Sequence, residues 1–81
     1  MTHVRVRFSF EGEQVKEPVI YRLGKDFPVI TNIRRAQVDS DSGWVVLELE
    51  GDSASIEEGL DWVRAQGVVV ASLDGGVVEG D

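Results

Sequence analysis

Eighty-one residues are enough for one small domain, since a second core would leave each half too small for burial to offset chain entropy. Eight basic against fifteen acidic side chains give a formal net charge of −7, which works against a polyanionic partner and sets nucleic acid aside. Without cysteine there is no disulfide framework, thiolate metal site or Cys nucleophile, and the cytoplasm is the expected compartment.

The N-terminal MTHVRVRFSF interleaves basic and apolar residues, unlike the unbroken apolar stretch of a signal peptide. No apolar run approaches the ~20 residues a membrane-spanning helix needs, so no direct membrane insertion is expected. Over residues 3–10 the alternation is strict. Val4, Val6, Phe8 and Phe10 share one face, and Arg5, Arg7 and Ser9 the other, predicting a strand buried on one side.

Beyond EGEQ the period changes. Val15, Val19, Ile20, Leu23 and Phe27 recur at helical spacing and predict a helix over residues 13–26, with Pro18 tolerated if it lies in the first turn. Pro28 ends that helix and residues 29–39 read as extended. SDSG is a turn cluster, and in WVVLELE the residues Val45, Leu47 and Leu49 alternate with Trp44, Val46, Glu48 and Glu50, predicting an antiparallel hairpin.

Asp52 then suits a helix N-cap, Glu57 and Glu58 lie early in that helix where the macrodipole favours negative charge, and Gly67 suits its C′ position. Ile56, Leu60 and Val63 form its buried stripe, while Gly59 costs about 1 kcal/mol relative to Ala and implies close approach to the sheet. The run VVVASL, residues 68–73, is a fourth strand. DGGVVEGD, residues 74–81, reads as a flexible acidic, glycine-rich tail after a single domain at 1–73.

The predicted fold class is α+β, a ferredoxin-like βαββαβ plait. Its four-stranded antiparallel sheet has the order 4-1-3-2, with both helices on one face. The other face is left open and should present Arg5, Arg7, Trp44, Val46, Glu48 and Val69, more apolar than free solvation requires. Trp44 and Val46 are therefore the expected interface residues.

No constellation for chemistry emerges. His3 is the only histidine and has no clustered partners. DSDSG resembles part of a calcium loop but lacks the remaining EF-hand positions. Glu57 and Glu58 diverge by about 100° on a helix, Ser53 and Ser55 have no activating base, and Gly75-Gly76 precedes no phosphate-binding motif. The expectation is a non-enzyme with no cofactor and no metal.

VITNIRRAQV, residues 29–38, is the anomaly: β-branched like a strand, yet carrying Asn32 among apolar neighbours and two adjacent arginines. PVITNI, the VVLELEGD strand before the second helix and IEEGLDWVRAQGVVV together resemble the NIL domain, a family named for an Asn-Ile-Leu triplet, over residues 4–73. The resemblance implies a ferredoxin-like fold. It also implies a regulatory role like that of the C-terminal domain on the ATPase subunit of methionine-importing ABC transporters, where paired domains bind methionine and inhibit transport. Other members are fused to ferredoxin modules linked to sulfur metabolism, and some stand alone. Lacking ATPase motifs and cluster cysteines, this chain looks like the stand-alone type.

Carried onto this chain, the triplet falls on Asn32 and Ile33, with Arg34 where the family has Leu and Ala36 where a small residue is usual. Asn32, Ile33, Arg34 and Arg35 are thus the expected ligand-binding residues. A guanidinium would favour a carboxylate over an apolar thioether tail. Which arginine faces the interface depends on whether the strand is bulged, since one extra residue exchanges their faces.

Two readings follow. One is a homodimer that senses a methionine-like amino acid between subunits near Asn32. The other is a docking module without a small ligand, which uses the open face or the second strand to engage a like subunit, a transporter or a sulfur-metabolism protein. An electron-transfer accessory lacks any ligand set in this chain.

Overall fold

The computed structural model describes residues 1–12 and 18–73 and the backbone of 78–79. In chain order it contains β1 (Thr2–Glu11), α1 (Val19–Asp26), β2 (Val29–Val38), β3 (Ser42–Gly51), α2 (Ser53–Ala65), β4 (Val69–Ser72) and β5 (Val78–Glu79). The sheet runs β2-β3-β1-β4, which is the 4-1-3-2 order expected from the sequence taken from the opposite edge, and every pairing is antiparallel. The α+β plait is therefore present.

Period-2 patterning decides which side of the sheet is dry. Val4, Val6, Phe8 and Phe10 of β1 and Val45, Leu47 and Leu49 of β3 are buried in one cluster with Val19 and Leu23 of α1 and Ile56, Leu60 and Val63 of α2. Both helices thus cover the same face. Phe8, Leu23, Leu47, Leu49, Ile56 and Val63 have almost no solvent contact, and the Phe8 and Phe10 rings meet edge-on at 6.4 Å.

The first helix is shorter than its sequence pattern predicts. Regular α1 begins at Val19, and Pro18, with φ −80° and ψ 59°, stands one position outside it as the N-cap. The Pro18 carbonyl accepts the first helical bond, from the Arg22 N–H at 3.0 Å. Proline's lost N–H thus costs nothing at the cap, as it would in the first turn. Residues 13–17, including Val15 and the expected helix start at Glu13, lie outside the described residues. At the other end Phe27 turns to φ −125°, ψ 146°, as the residue before a proline is driven to do.

Asp52 is the N-cap of α2 in position and in extended geometry, but its carboxylate makes no capping bond; its backbone carbonyl accepts from Ile56 N–H at 2.9 Å. The first turn holds no acidic residue, and Glu57 and Glu58 follow one turn further in, where the macrodipole acts on them less than expected. Gly67 has φ +89°, a left-handed conformation that glycine enters without a Cβ penalty, so it ends α2 as anticipated.

Gly59 does permit a close approach, but to the other helix rather than to the sheet. A Cβ there would lie 2.7 Å from Leu23 Cδ1 and 3.6 Å from the Phe27 ring. Trp62, on the same helix, is half-buried beside Phe27 with ring centroids 5.9 Å apart, and the Arg22 guanidinium lies 5.0 Å from the indole centre.

β1 is paired along both edges. Thr2–Glu11 pair with β3 on one side, while on the other Val6–Ser9 pair with β4 and Thr2–His3 with β5. His3 therefore sits within the sheet, between Glu50 and Val78. Of the tail expected to be flexible, Val78 and Glu79 form that two-residue strand; residues 74–77 and 80–81 lie outside the described residues.

Candidate functional site: the open sheet face and the β2 edge

The face away from the helices is organised by strand register into rows that cross β1, β3 and β2. One row is His3, Glu50 and Ile30; the next is Arg5, Glu48 and Asn32; then come Arg7, Val46 and Arg35; then Ser9, Trp44 and Gln37. Val69 of β4 extends the last of these beyond Ser9. All six side chains expected on this face are there: Trp44, Val46, Glu48 and Arg5 are half-buried, and Arg7 and Val69 are exposed.

β2 is an edge strand, and its second half would have turned Arg35 toward the helices but for a bulge. Register shifts between Ile33, paired with Leu47, and Arg35, paired with Val46, which leaves Arg34 as the extra residue. The bulge puts Arg35 on the open face opposite Val46, and Arg34 reaches over the same face to Glu48. Both arginines thus lie on the open face, Arg34 paired with Glu48 and Arg35 opposite Val46.

Glu48 is the hub of this surface. Its Oε2 accepts from Arg5 Nη2 at 2.7 Å, and its Oε1 lies 3.3 Å from Arg34 Nη2. Next to it, Glu50 is 4.0 Å from His3 Nε2. The Arg5 hydrogen bond holds the Glu48 carboxyl below its ordinary value of 4.5 against the opposing effect of burial, with Arg34, Arg5 and His3 adding favourable charge.

Because the folded state lowers this pKa, the pair's stabilisation is complete above 4.5 and is lost as pH falls through the lowered folded value. The difference in Tm between the wild type and Glu48→Gln should therefore be constant at neutral pH and shrink to nothing on acidification below 4.5. It should also shrink in high salt, as for any partly exposed pair. A difference independent of pH, measured by circular dichroism from pH 2 to 7, would mean that Glu48 acts through packing alone.

The predicted ligand residues divide in a way their sequence order hides. Asn32 and Arg35 stand exposed on the open face, with side chains that have no hydrogen-bond or ion-pair partner among the described residues. Arg34 is already engaged by Glu48. Ile33 pairs with Leu47 and so points to the helix side, yet it is 54% exposed. Ile30 and Val38 are exposed on the same strand. Trp44 and Val46 lie side by side along β3, two residues apart.

Alternation placed Arg7 and Glu48 on this face but not Glu48 as a charge hub between Arg5 and Arg34, and it did not single out Gln37, the register partner of Trp44. Arg7, Ser9, Gln37 and Trp44, bounded by Asp39 and Glu11 at the hairpin end, line a shallow depression of about 250 Å³. A separate apolar cleft of about 220 Å³ lies on the helix side between Ile20, Tyr21, Phe10, Val38 and Val45. Among the described residues no group of three or more His, Asp or Glu side chains could hold a metal ion. No helix among them is long and apolar enough to cross a membrane.

Fold and surface together define a small ferredoxin-like domain whose distinctive chemistry lies on an uncovered sheet face and a bare edge strand. Residues 4–71 match the NIL domain model, and the chain belongs to the NIL domain family. Among curated proteins it is similar to the methionine import ATP-binding protein MetN 1 of Enterococcus faecalis (strain ATCC 700802 / V583), 33% identical over 67 residues. That match covers 78% of this chain but only 19% of the relative's length. Among solved structures it resembles the C-terminal domain of an ABC transporter ATP-binding protein from Enterococcus faecalis, with a TM-score of 0.75 at 23% identity. The likeness covers 86% of this chain and 82% of that one, and it concerns the fold.

Proposed function

We propose that this domain is a non-catalytic, cytoplasmic regulatory module that senses methionine or a related amino acid at a homodimer interface built around β2. The observation that carries the reading is Asn32: an exposed carboxamide without a partner among the described residues, on an edge strand, beside Glu48, which is already paired with Arg5 and Arg34. An amide both donates and accepts, so it can address the ammonium or the carboxylate of an amino acid. Membership of the NIL family supports the regulatory role, and the similarity to a methionine importer's ATP-binding protein supports the amino-acid class. Control of such a transporter is part of the proposal.

Thermal unfolding against a panel of amino acids tests it. A ligand at 100 times its dissociation constant adds about 2.7 kcal/mol, which raises the Tm of a domain this size by roughly 10 °C or more. L-Methionine or a close analogue is expected to give such a rise, and Asn32→Ala to abolish most of it. No shift with any amino acid at millimolar concentration contradicts the reading.

A second reading, a docking module without a small ligand, is favoured by the exposed Ile30, Ile33 and Val38 along a ten-residue strand whose outer edge is unpaired among the described residues. Such an edge can accept a strand from another chain. Placing a charge at the centre of the open face with Val46→Glu separates two forms of this reading. Loss of association points to the face, and retained association points to the edge.

A further inference from the structure

We propose that the open face binds a small monocarboxylate between the guanidinium groups of Arg7 and Arg35, with the ligand's apolar part lying over Val46 and Trp44. The proposal rests on the small-molecule reading above and names the cations that reading would use.

Arg7 and Arg35 are the two register partners of Val46, one on each side of β3. Two interstrand spacings of ~4.8 Å separate their backbones, within reach of two long side chains closing on one anion. Neither guanidinium has an ion pair or hydrogen bond among the described residues, although the chain carries fifteen acidic side chains. In the neighbouring row the opposite holds: Glu48 takes Arg5 on one oxygen and Arg34 on the other. Arg34, the arginine that departs from the family triplet, is therefore spent within the protein, and the bulge it creates is what turns Arg35 to the open face.

The floor between the two cations is the half-buried Val46, and one row further on the indole of Trp44 lines the depression that Arg7 borders. A guanidinium fork matches a carboxylate, and the adjoining apolar surface suits a short aliphatic or thioether chain. Glu11 and Asp39 close the far end of the depression. They repel a second negative charge and so orient a monoanion with its carboxylate toward the arginines, disfavouring a phosphate or a dicarboxylate. Glu48 faces the same space from the other side with both oxygens occupied.

The test is a titration of the protein with sodium butyrate, and with butyramide as its uncharged match, at constant ionic strength. Amide proton–nitrogen spectra read Arg7, Val46 and Arg35, and the indole signal reads Trp44. Butyrate is expected to give saturable shifts at these positions in the millimolar range, and butyramide far smaller ones. Arg7→Gln and Arg35→Gln should each weaken butyrate about fivefold or more, as loss of one charge-assisted contact does, and more than Arg34→Gln. Both replacements are at exposed positions, and an unchanged spectrum elsewhere verifies the fold.

Equal shifts from butyramide, or affinity that survives both replacements, overturn the proposal. L-Methionine shifts confined to Asn32 and the β2 edge overturn it too while leaving the sensing reading intact. Saturable butyrate binding without a response to any amino acid supports the clamp and removes the amino-acid reading instead.

Discussion

Replacing Leu47 by Ala is expected to remove about 2–5 kcal/mol of stability, whereas Val46→Ala, one residue away, should remove less than about 1 kcal/mol. Leu47 has no solvent exposure and lies in the cluster shared by both helices and the two central strands, so truncation loses transfer free energy and opens a cavity the neighbours cannot collapse into. Val46 faces the other way, half-buried among arginines. A domain of this size has of the order of 4–12 kcal/mol in total, so the first variant approaches unfolding and the second does not. Urea denaturation of the pair measures the contrast directly. Similar losses from both would mean that the open face is packed like a core.

The second large effect concerns Gly59, where helix propensity and tertiary packing predict opposite signs. Propensity alone says that Gly59→Ala gains about 1 kcal/mol. The added Cβ, however, would stand 2.7 Å from Leu23 Cδ1, and because Leu23 is fully buried its methyl must shift against packed neighbours rather than into solvent. Overpacking of this kind costs about 1–3 kcal/mol. The net expectation is a loss of about 1 kcal/mol for Ala and roughly 3 kcal/mol for Val, whose branches also meet the Phe27 ring 3.6 Å from the Cβ position. Thermal unfolding of both variants checks this. A stabilised Gly59→Ala would show that the helices can separate without penalty.

The two faces of β1 and β3 were legible because alternation is a local signal: Val4 to Phe10 and Val45 to Leu49 announce their burial residue by residue, and the fold order follows from spacing. Three features were not legible, each for its own reason. The start of α1 depends on the backbone at Pro18, and the apolar spacing that includes Val15 predicts a longer helix than α1 as it stands. Gly59 announces a close neighbour without saying which, since sheet and partner helix both flank α2. The bulge at Arg34 shows in the sequence only as a three-residue step on the helix side, from Ile33 to Ala36, spanned by two arginines either of which could be the extra residue.

That last feature limits how the site could be foreseen. Asn32 and Ile33 were singled out by resemblance to a family triplet, and Trp44 and Val46 by alternation. The division of labour among the arginines needed register. Arg5 and Arg34 close on Glu48, and Arg7 and Arg35 flank Val46, yet the four are interchangeable as sequence symbols. A search for a carboxylate set between two strands that carry arginines would have pointed to Glu48, but not to which guanidinium groups remain available.

We propose that β2 and the open face join two copies of this domain around an amino acid. Sedimentation equilibrium of the wild type and Asn32→Ala, with and without millimolar L-methionine, tests it most directly. The wild type should form a dimer that the ligand tightens, with the ligand's effect lost in Asn32→Ala. A monomer at every concentration, unchanged by L-methionine, would contradict it.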